Sequence, residues 1–215
     1  MTDKLIRFVA SKAQFRGAVV SMPVAANTIF HQHEPTQDMG EYLCNTAVAA
    51  LLLASCIKTG AVSISIESNG IIGIMNADAT PDGLVRAMIA KANVEDEALS
   101  RKLKLPLMGK GTLSVIKKLS EDSPPYRGVI EIDEHYIGPM IADYLLYSEQ
   151  IKSSVSTATA FHRTDVQKCY GFYVEALPGL AEDDLHKIEK NIVGMGNFHE
   201  FIGNIKQPEE LMEEL

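Results

Sequence analysis

The chain has 215 residues, of which 46% are hydrophobic and 22% charged, and its formal net charge is −8. That length suits one large domain or two small ones, with about 70% of the unfolded surface buried on folding. The acidic balance and scattered Lys and Arg give no basic footprint for nucleic acid, and the N-terminal MTDKLIRFVASK lacks the apolar core of a signal peptide.

In chain order, Phe15 to Met22 reads as a strand, followed by a short helical stretch near Ala25 to His31. Met39 to Lys58 then reads as a long helix. Its stretch from Tyr42 to Ile57 carries no charge, and Leu43, Ala47, Val48, Leu51, Leu52 and Leu53 wrap its faces. Such a helix either spans a membrane or is buried in a core. At 16 uncharged residues it would reach about 24 Å, short of a hydrocarbon layer of about 30 Å. Asn45 and Thr46 interrupt it, and no basic cluster flanks it, so a buried central helix is expected.

Ala61 to Glu67 alternates apolar and polar residues, as a half-buried strand should. The Asn69-Gly70 turn signal predicts a hairpin back through Ile71 to Asn76. Leu84 to Ala90 fits a helix or a strand, and its residues alone leave the choice open. Gly111 to Lys117 reads as a further strand.

Tyr126 to Gln150 is the most informative stretch. Val129, Ile130 and Ile132 form a β-rich run closed by the polar turn Asp133-Glu134-His135. Pro139 suits the first turn of a following helix. That helix shows two apolar stripes: Ile137, Ile141, Leu145 and Ser148, then Met140, Tyr144, Tyr147 and Ile151. One stripe serves a single core contact, so the second meets a second layer of the fold, a second copy of the chain or a client; Met140, Tyr144 and Tyr147 are carried as the candidate client or dimer surface.

Gly171 to Leu177 is another strand, stopped by Pro178-Gly179. Asp183-Asp184 opens an amphipathic helix through Leu185, Ile188, Ile192 and Met195. Phe198, Phe201, Ile202 and Ile205 continue an apolar surface, with Phe198 and Phe201 further candidates for a client or dimer contact. Pro208 starts an acidic tail. These elements predict an α+β fold, with curved antiparallel sheets layered around the buried helix 39–58. A core domain would span residues 1–180, and a C-terminal helical segment residues 181–215.

Three cysteines do not make a disulfide framework and suit a reducing, cytoplasmic compartment. Cys44 and Cys56 share the central helix about 18 Å apart, whereas a disulfide needs α-carbons within about 7 Å. Cys169 has no Cys or His nearby at metal-ligand spacing. The expectation is therefore that no cysteine pair closes within the chain. His31-Gln32-His33 suggests a metal pair but lacks a third ligand, and Gly109-Lys110-Gly111 lacks the spacing of a phosphate loop. Asp133-Glu134-His135 is read as a solvated turn. No nucleophile with a credible base is visible, so no catalytic, cofactor or metal residue is assigned.

Several segments are similar to one family. They include Arg16-Gly17, LLLASCIK at Leu51 to Lys58, SISIESNG at Ser63 to Gly70, and GKGTLSVIK at Gly109 to Lys117. YRGVIEI at Tyr126 to Ile132, ADYLLYSEQI at Ala142 to Ile151, and GFYVEALPG at Gly171 to Gly179 are the most specific. Together, in this order, they resemble the redox-regulated bacterial holdase chaperones of thirty-three kilodaltons. The resemblance tips Leu84 to Ala90 towards β. It implies ATP-independent binding of unfolding proteins and a separate zinc domain bearing Cys-x-Cys and Cys-x-x-Cys. This chain stops at Leu215 without those cysteines, either as a fragment or as a form lacking the switch, so no cofactor is expected in it. The expected partners are unfolding proteins and a second copy of the chain, with neither nucleic acid nor membrane. The alternatives are a small-molecule enzyme on the same scaffold and an interaction domain for one dedicated partner.

Overall fold

The computed structural model describes residues 2–10, 14–90, 102, 106–120, 122–133 and 136–215. Two antiparallel sheets face each other. Sheet I has the order β1-β2-β9-β8, from β1 (Lys4–Ala10), β2 (Phe15–Ser21), β8 (Ser153–His162) and β9 (Asp165–Ala176). Sheet II has the order β5-β4-β3-β6-β7, from β3 (Ala61–Ser68), β4 (Ile74–Ala79), β5 (Val85–Ile89), β6 (Gly111–Lys118) and β7 (Tyr126–Ile132). Between the sheets lie α1 (Pro23–His33) and α2 (Gln37–Ser55), with α3 (Ile137–Glu149) packed against α2, β7 and β8. Three short helices, α4 (Glu182–Gly194), α5 (Phe198–Asn204) and α6 (Pro208–Glu214), complete the chain. The α+β layering around a central helix is as the sequence predicts.

Helix α2 sits where its sequence requires. Every residue from Leu43 to Ala54 is buried. Thr36 caps its start, accepting from Met39 N at 3.4 Å, and Cys56 closes it, so it is displaced towards the N-terminus from the predicted span 39–58. The two polar residues within that buried stretch are both satisfied: Thr46 Oγ1 donates to Tyr42 O at 2.8 Å, and Asn45 Oδ1 accepts from Thr159 Oγ1 of β8 at 2.8 Å. The cap of α1 comes from far away. Asp3 accepts from Val24 N and Ala25 N at 2.8 and 2.9 Å, which ties β1 to the helix start.

The predicted Asn69-Gly70 hairpin is a wider excursion. Ser68 N donates to Gly73 O, while Ile71 N and Ile72 N donate to Pro106 O and Leu107 O, so β4 begins at Ile74 and not Ile71. Ile72 is fully buried, and that burial favours the loop over a two-residue turn. Leu84 to Ala90 contains strand β5, as the family resemblance indicated. Strands β1 and β8 were not read from the sequence. Glu134 and His135 of the predicted polar turn lie outside the described residues.

Two glycines set the close approaches of the core. A Cβ at Gly128 on β7 would lie 2.7 Å from Tyr144 Cε2 and against Ser148 Oγ, so α3 rests directly on that strand. A Cβ at Gly171 on β9 would press on Val48 and lie 3.2 Å from Leu52 Cδ1, so α2 rests on β9 in the same way. Leu52, with 1% exposure, fills this contact. We expect Leu52→Ala to lower unfolding free energy by about 2–5 kcal/mol through lost transfer energy and a residual cavity. Denaturant unfolding measures the loss, and amide exchange in α2 as fast as in surface loops would contradict this placement.

Candidate functional site

The second stripe of α3 is not a surface. Met140 and Tyr144 are 1% and 0% exposed, and both belong to the central core with Ile137, Ile141 and Leu145. The helix bridges the β7 edge of sheet II and the β8 edge of sheet I, so two walls of the same domain cover two stripes. Of the stripe, only Tyr147 is freely exposed, at 72%. Met140 and Tyr144 are therefore corrected from client surface to core.

Tyr144 carries a polar role that its stripe position conceals. Its hydroxyl donates to Glu149 Oε1 at 2.6 Å, and Lys117 Nζ donates to Glu149 Oε2 at 2.7 Å. Burial, with the hydrogen bond to Glu149, pushes the phenol upward and keeps it a proton donor. Tyr126 from β7 bonds Ser148 O at 3.1 Å, and Gln150 ends the helix in the left-handed region. Ser148-Glu149-Gln150 is thus the helix end, and Glu149 also anchors a mostly buried ion pair with Lys117. We expect Tyr147→Glu to leave the melting temperature nearly unchanged. Tyr144→Phe should cost about 1–3 kcal/mol by removing a donor from a buried carboxylate. Paired thermal melts distinguish the two positions.

The apolar surface that can be uncovered lies elsewhere. Sheet I is buried on both faces. Its inner face meets α2, and its outer face presents Val19, Ala158, Tyr170, Phe172 and Val174 to the C-terminal helices. Ile188, Met195, Ile202, Ile205, Leu211 and Leu215 cover them. Phe198 stacks edge-on against Phe172, with centroids 5.2 Å apart and planes at 85°, and Phe201 lies 6.4 Å beyond it. Both Phe side chains are half-buried in this seam.

Few polar ties hold the cover. Lys168 Nζ donates to the carbonyls of Ile202, Gly203 and Ile205 at 2.6–2.8 Å, closing the end of α5, and partial burial lowers its pKa. Lys4 of β1 meets Glu209 of α6 at 2.7 Å. Helix α4 fully buries only Ile188, and Val193 is 78% exposed. The sequence reading found the apolar residues of α4 and α5 but not their partner face, because β8 was missed and the outer residues of β9 alternate within a run buried on both sides.

A cleft of about 470 Å³ opens between α2, the start of α3, β8 and the α4–α5 loop, with Glu41, Asn45, Thr157 and His199 among its lining. Burial raises the Glu41 pKa, and His199 opposes the shift. Thr157 Oγ1 has no hydrogen-bond partner, so it has no base in reach. His31 and His33 lie on α1, not in a loop, and turn to different partners, Asp165 Oδ1 at 3.0 Å and Ala87 O at 2.9 Å. Among the described residues no three His, Cys, Asp or Glu side chains come together.

All three cysteines are free thiols. Cys56 ends the unbroken helix that carries Cys44, so those two remain apart. Cys44 and Cys169, however, lie near each other inside the core, close enough for Cys169 to raise the Cys44 pKa. Their long separation in sequence hid the contact. Burial pushes Cys56 up to about 11, and the Cys169 contact with burial raises Cys44 further.

Two facing antiparallel sheets around one all-apolar helix, with an apolar outer face under amphipathic helices, define a binding scaffold. The Hsp33 protein family model matches residues 3–215, and the chain belongs to that family. It is 27% identical to the 33 kDa chaperonin of Limosilactobacillus fermentum over 99% of this chain and 75% of that protein. The 33 kDa chaperonin of Bacillus subtilis is also 27% identical, over 99% of this chain and 75% of its own length. The crystal structure of the 33 kDa chaperonin (heat shock protein 33 homolog) of Thermotoga maritima superposes with a TM-score of 0.86. It is 23% identical, and the match covers 98% of this chain and 73% of that one. The fold is shared, and the chain spans about three quarters of these relatives.

Proposed function

We propose that this chain is an ATP-independent holdase that captures unfolding proteins on the outer face of sheet I when α4–α6 lift away. The observation that carries this reading is that face itself: a second apolar cluster, separate from the core, covered by helices shorter than fourteen residues. Its aromatic and aliphatic residues suit the apolar segments that unfolding proteins expose. Each side chain buried there contributes about 1.5–3 kcal/mol, reduced by the ordering costs of association. Several such anchors hold a client without nucleotide chemistry or a cofactor. Lifting the cover leaves the inner face of sheet I against α2, so the fold survives the exposure. The net charge of −8 supports solubility while the face is open. No described helix is long and apolar enough to cross a membrane. A second copy of the chain would compete for the same open face.

Ile202, the fully buried residue of α5, gives the direct test. Ile202→Glu places an unpaired carboxylate in the seam, which costs too much to remain buried and should lift the cover. We expect greater binding of an apolar dye and stronger suppression of aggregation for several unrelated clients, with protection of α2 amides retained. Dye binding that rises while holding per folded molecule stays flat would sink the reading. Saturable binding of one metabolite in the cleft beside Glu41 would favour an enzyme instead.

A further inference from the structure

The two fully buried cysteines occupy matched positions on α2 and β9. Val48 and Leu52 of α2 press on Gly171 of β9. One helical turn back from Val48 is Cys44, a displacement of about 5.4 Å. Two residues back from Gly171, on the same face of the strand, is Cys169, about 6.7 Å away. The glycine that lets helix and strand meet thus also sets the two thiols side by side.

The surrounding bonds agree with that register. Thr159, the cross-strand partner of Cys169, lies with Oγ1 3.4 Å from Cys169 Sγ and donates to Asn45 Oδ1, the residue next to Cys44. Cys44 Sγ also contacts Ala26 O at 3.8 Å, and Cys169 O accepts from Met22 N at 2.9 Å, so α1 and its entry close over the pair. Both cysteines are 0% exposed.

We propose that Cys44 and Cys169 form a buried dithiol that a hydroperoxide converts to an intramolecular disulfide when the core opens. In the closed core both thiols are shielded from solvent, and the thiolate is the reactive form. An opening fluctuation admits water and peroxide to one sulfur. That sulfur, as thiolate, attacks a peroxide oxygen; the S–O bond forms, the O–O bond breaks, and the departing hydroxide leaves as water with the thiol proton. On reclosing, the second sulfur attacks the sulfenic sulfur; the S–S bond forms, the S–O bond breaks, and hydroxide leaves with the second thiol proton as water. The pair loses two electrons and two protons, one peroxide is reduced, and two waters result. Native contact makes the second step intramolecular, so it outruns further oxidation of the sulfenic acid. Cys56, without a neighbouring thiol, does not share in the product.

The experiment uses the unmodified chain and hydrogen peroxide, at a temperature well below the melting midpoint and again just below it. Thiols are quenched with an alkylating agent, and peptides are mapped without reduction. In the folded protein at low temperature we expect Cys44 and Cys169 to alkylate at least about tenfold more slowly than the only partly buried Cys56. Near the midpoint the main oxidised product should be one monomeric species, lighter by two hydrogen atoms, whose Cys44 and Cys169 peptides are linked and are separated by reductant. Cys56→Ser should leave that link intact. Linkage through Cys56, linkage between two chains, or sulfinic and sulfonic products at Cys44 and Cys169 without a link would each overturn the proposal. So would labelling of the pair at low temperature as fast as Cys56.

Discussion

The fold depends on the burial of a helix that has no polar face. A helix apolar all round cannot lie at a surface, and α2 is enclosed by strands of both sheets and by α3. The two sheets are therefore walls of one cavity whose width is set by a single helix diameter. Where that width is too great for the side chains, glycine removes the spacer: Gly171 lets β9 touch α2, and Gly128 lets β7 touch α3. Replacing either would move a whole element, because the interior is close-packed and the opposing residues are themselves buried.

The charged residues at the end of this core follow from the same enclosure. Lys117 points inward from β6 at a level where an apolar residue would meet the open end between the sheets, and Glu149 closes that end from α3. Both side chains are mostly shielded, so their attraction is set against the cost of removing each from water. The Tyr144 hydroxyl offsets part of that cost by giving Glu149 a second donor. Arg16 meets Glu175 between neighbouring strands β2 and β9, again at the rim. The polar groups fix how α3 and β9 end.

Much of this was legible from residue patterns, because strong periodicity and all-round apolarity are local signals. Helix α2, strands β3, β6 and β7, the α3 stripes and the C-terminal helices all carry them. Strand β8 does not: SSVSTATAFH is rich in small and hydroxyl residues, and its faces are buried by different partners, so no single hydrophobic face stands out. Strand β1 is a short edge strand with mixed exposure. Missing β8 had a consequence beyond secondary structure. Without it, nothing could cover the second stripe of α3, and Met140 and Tyr144 read as surface. The Cys44–Cys169 contact was equally hidden, since sequence spacing measures separation within one helix and says nothing about which strand packs on it.

Strand β9 joins the two halves of the functional reading. Its alternate residues face opposite layers: Cys169, Gly171 and Tyr173 meet the core, while Tyr170, Phe172 and Val174 meet the C-terminal helices. A strand buried on both faces reads as one apolar run, yet its two faces have different duties. The inner face is locked by α2, whose removal would unfold the domain. The outer face is covered by short amphipathic helices, which are marginal on their own, and is tied down by Lys168 from this same strand. Opening the outer face therefore needs only the free energy of a local seam, whereas opening the inner face needs that of the core. Lifting the outer cover breaks none of the pairing of β9 with β2 and β8, so the strand can present its outer residues already in register.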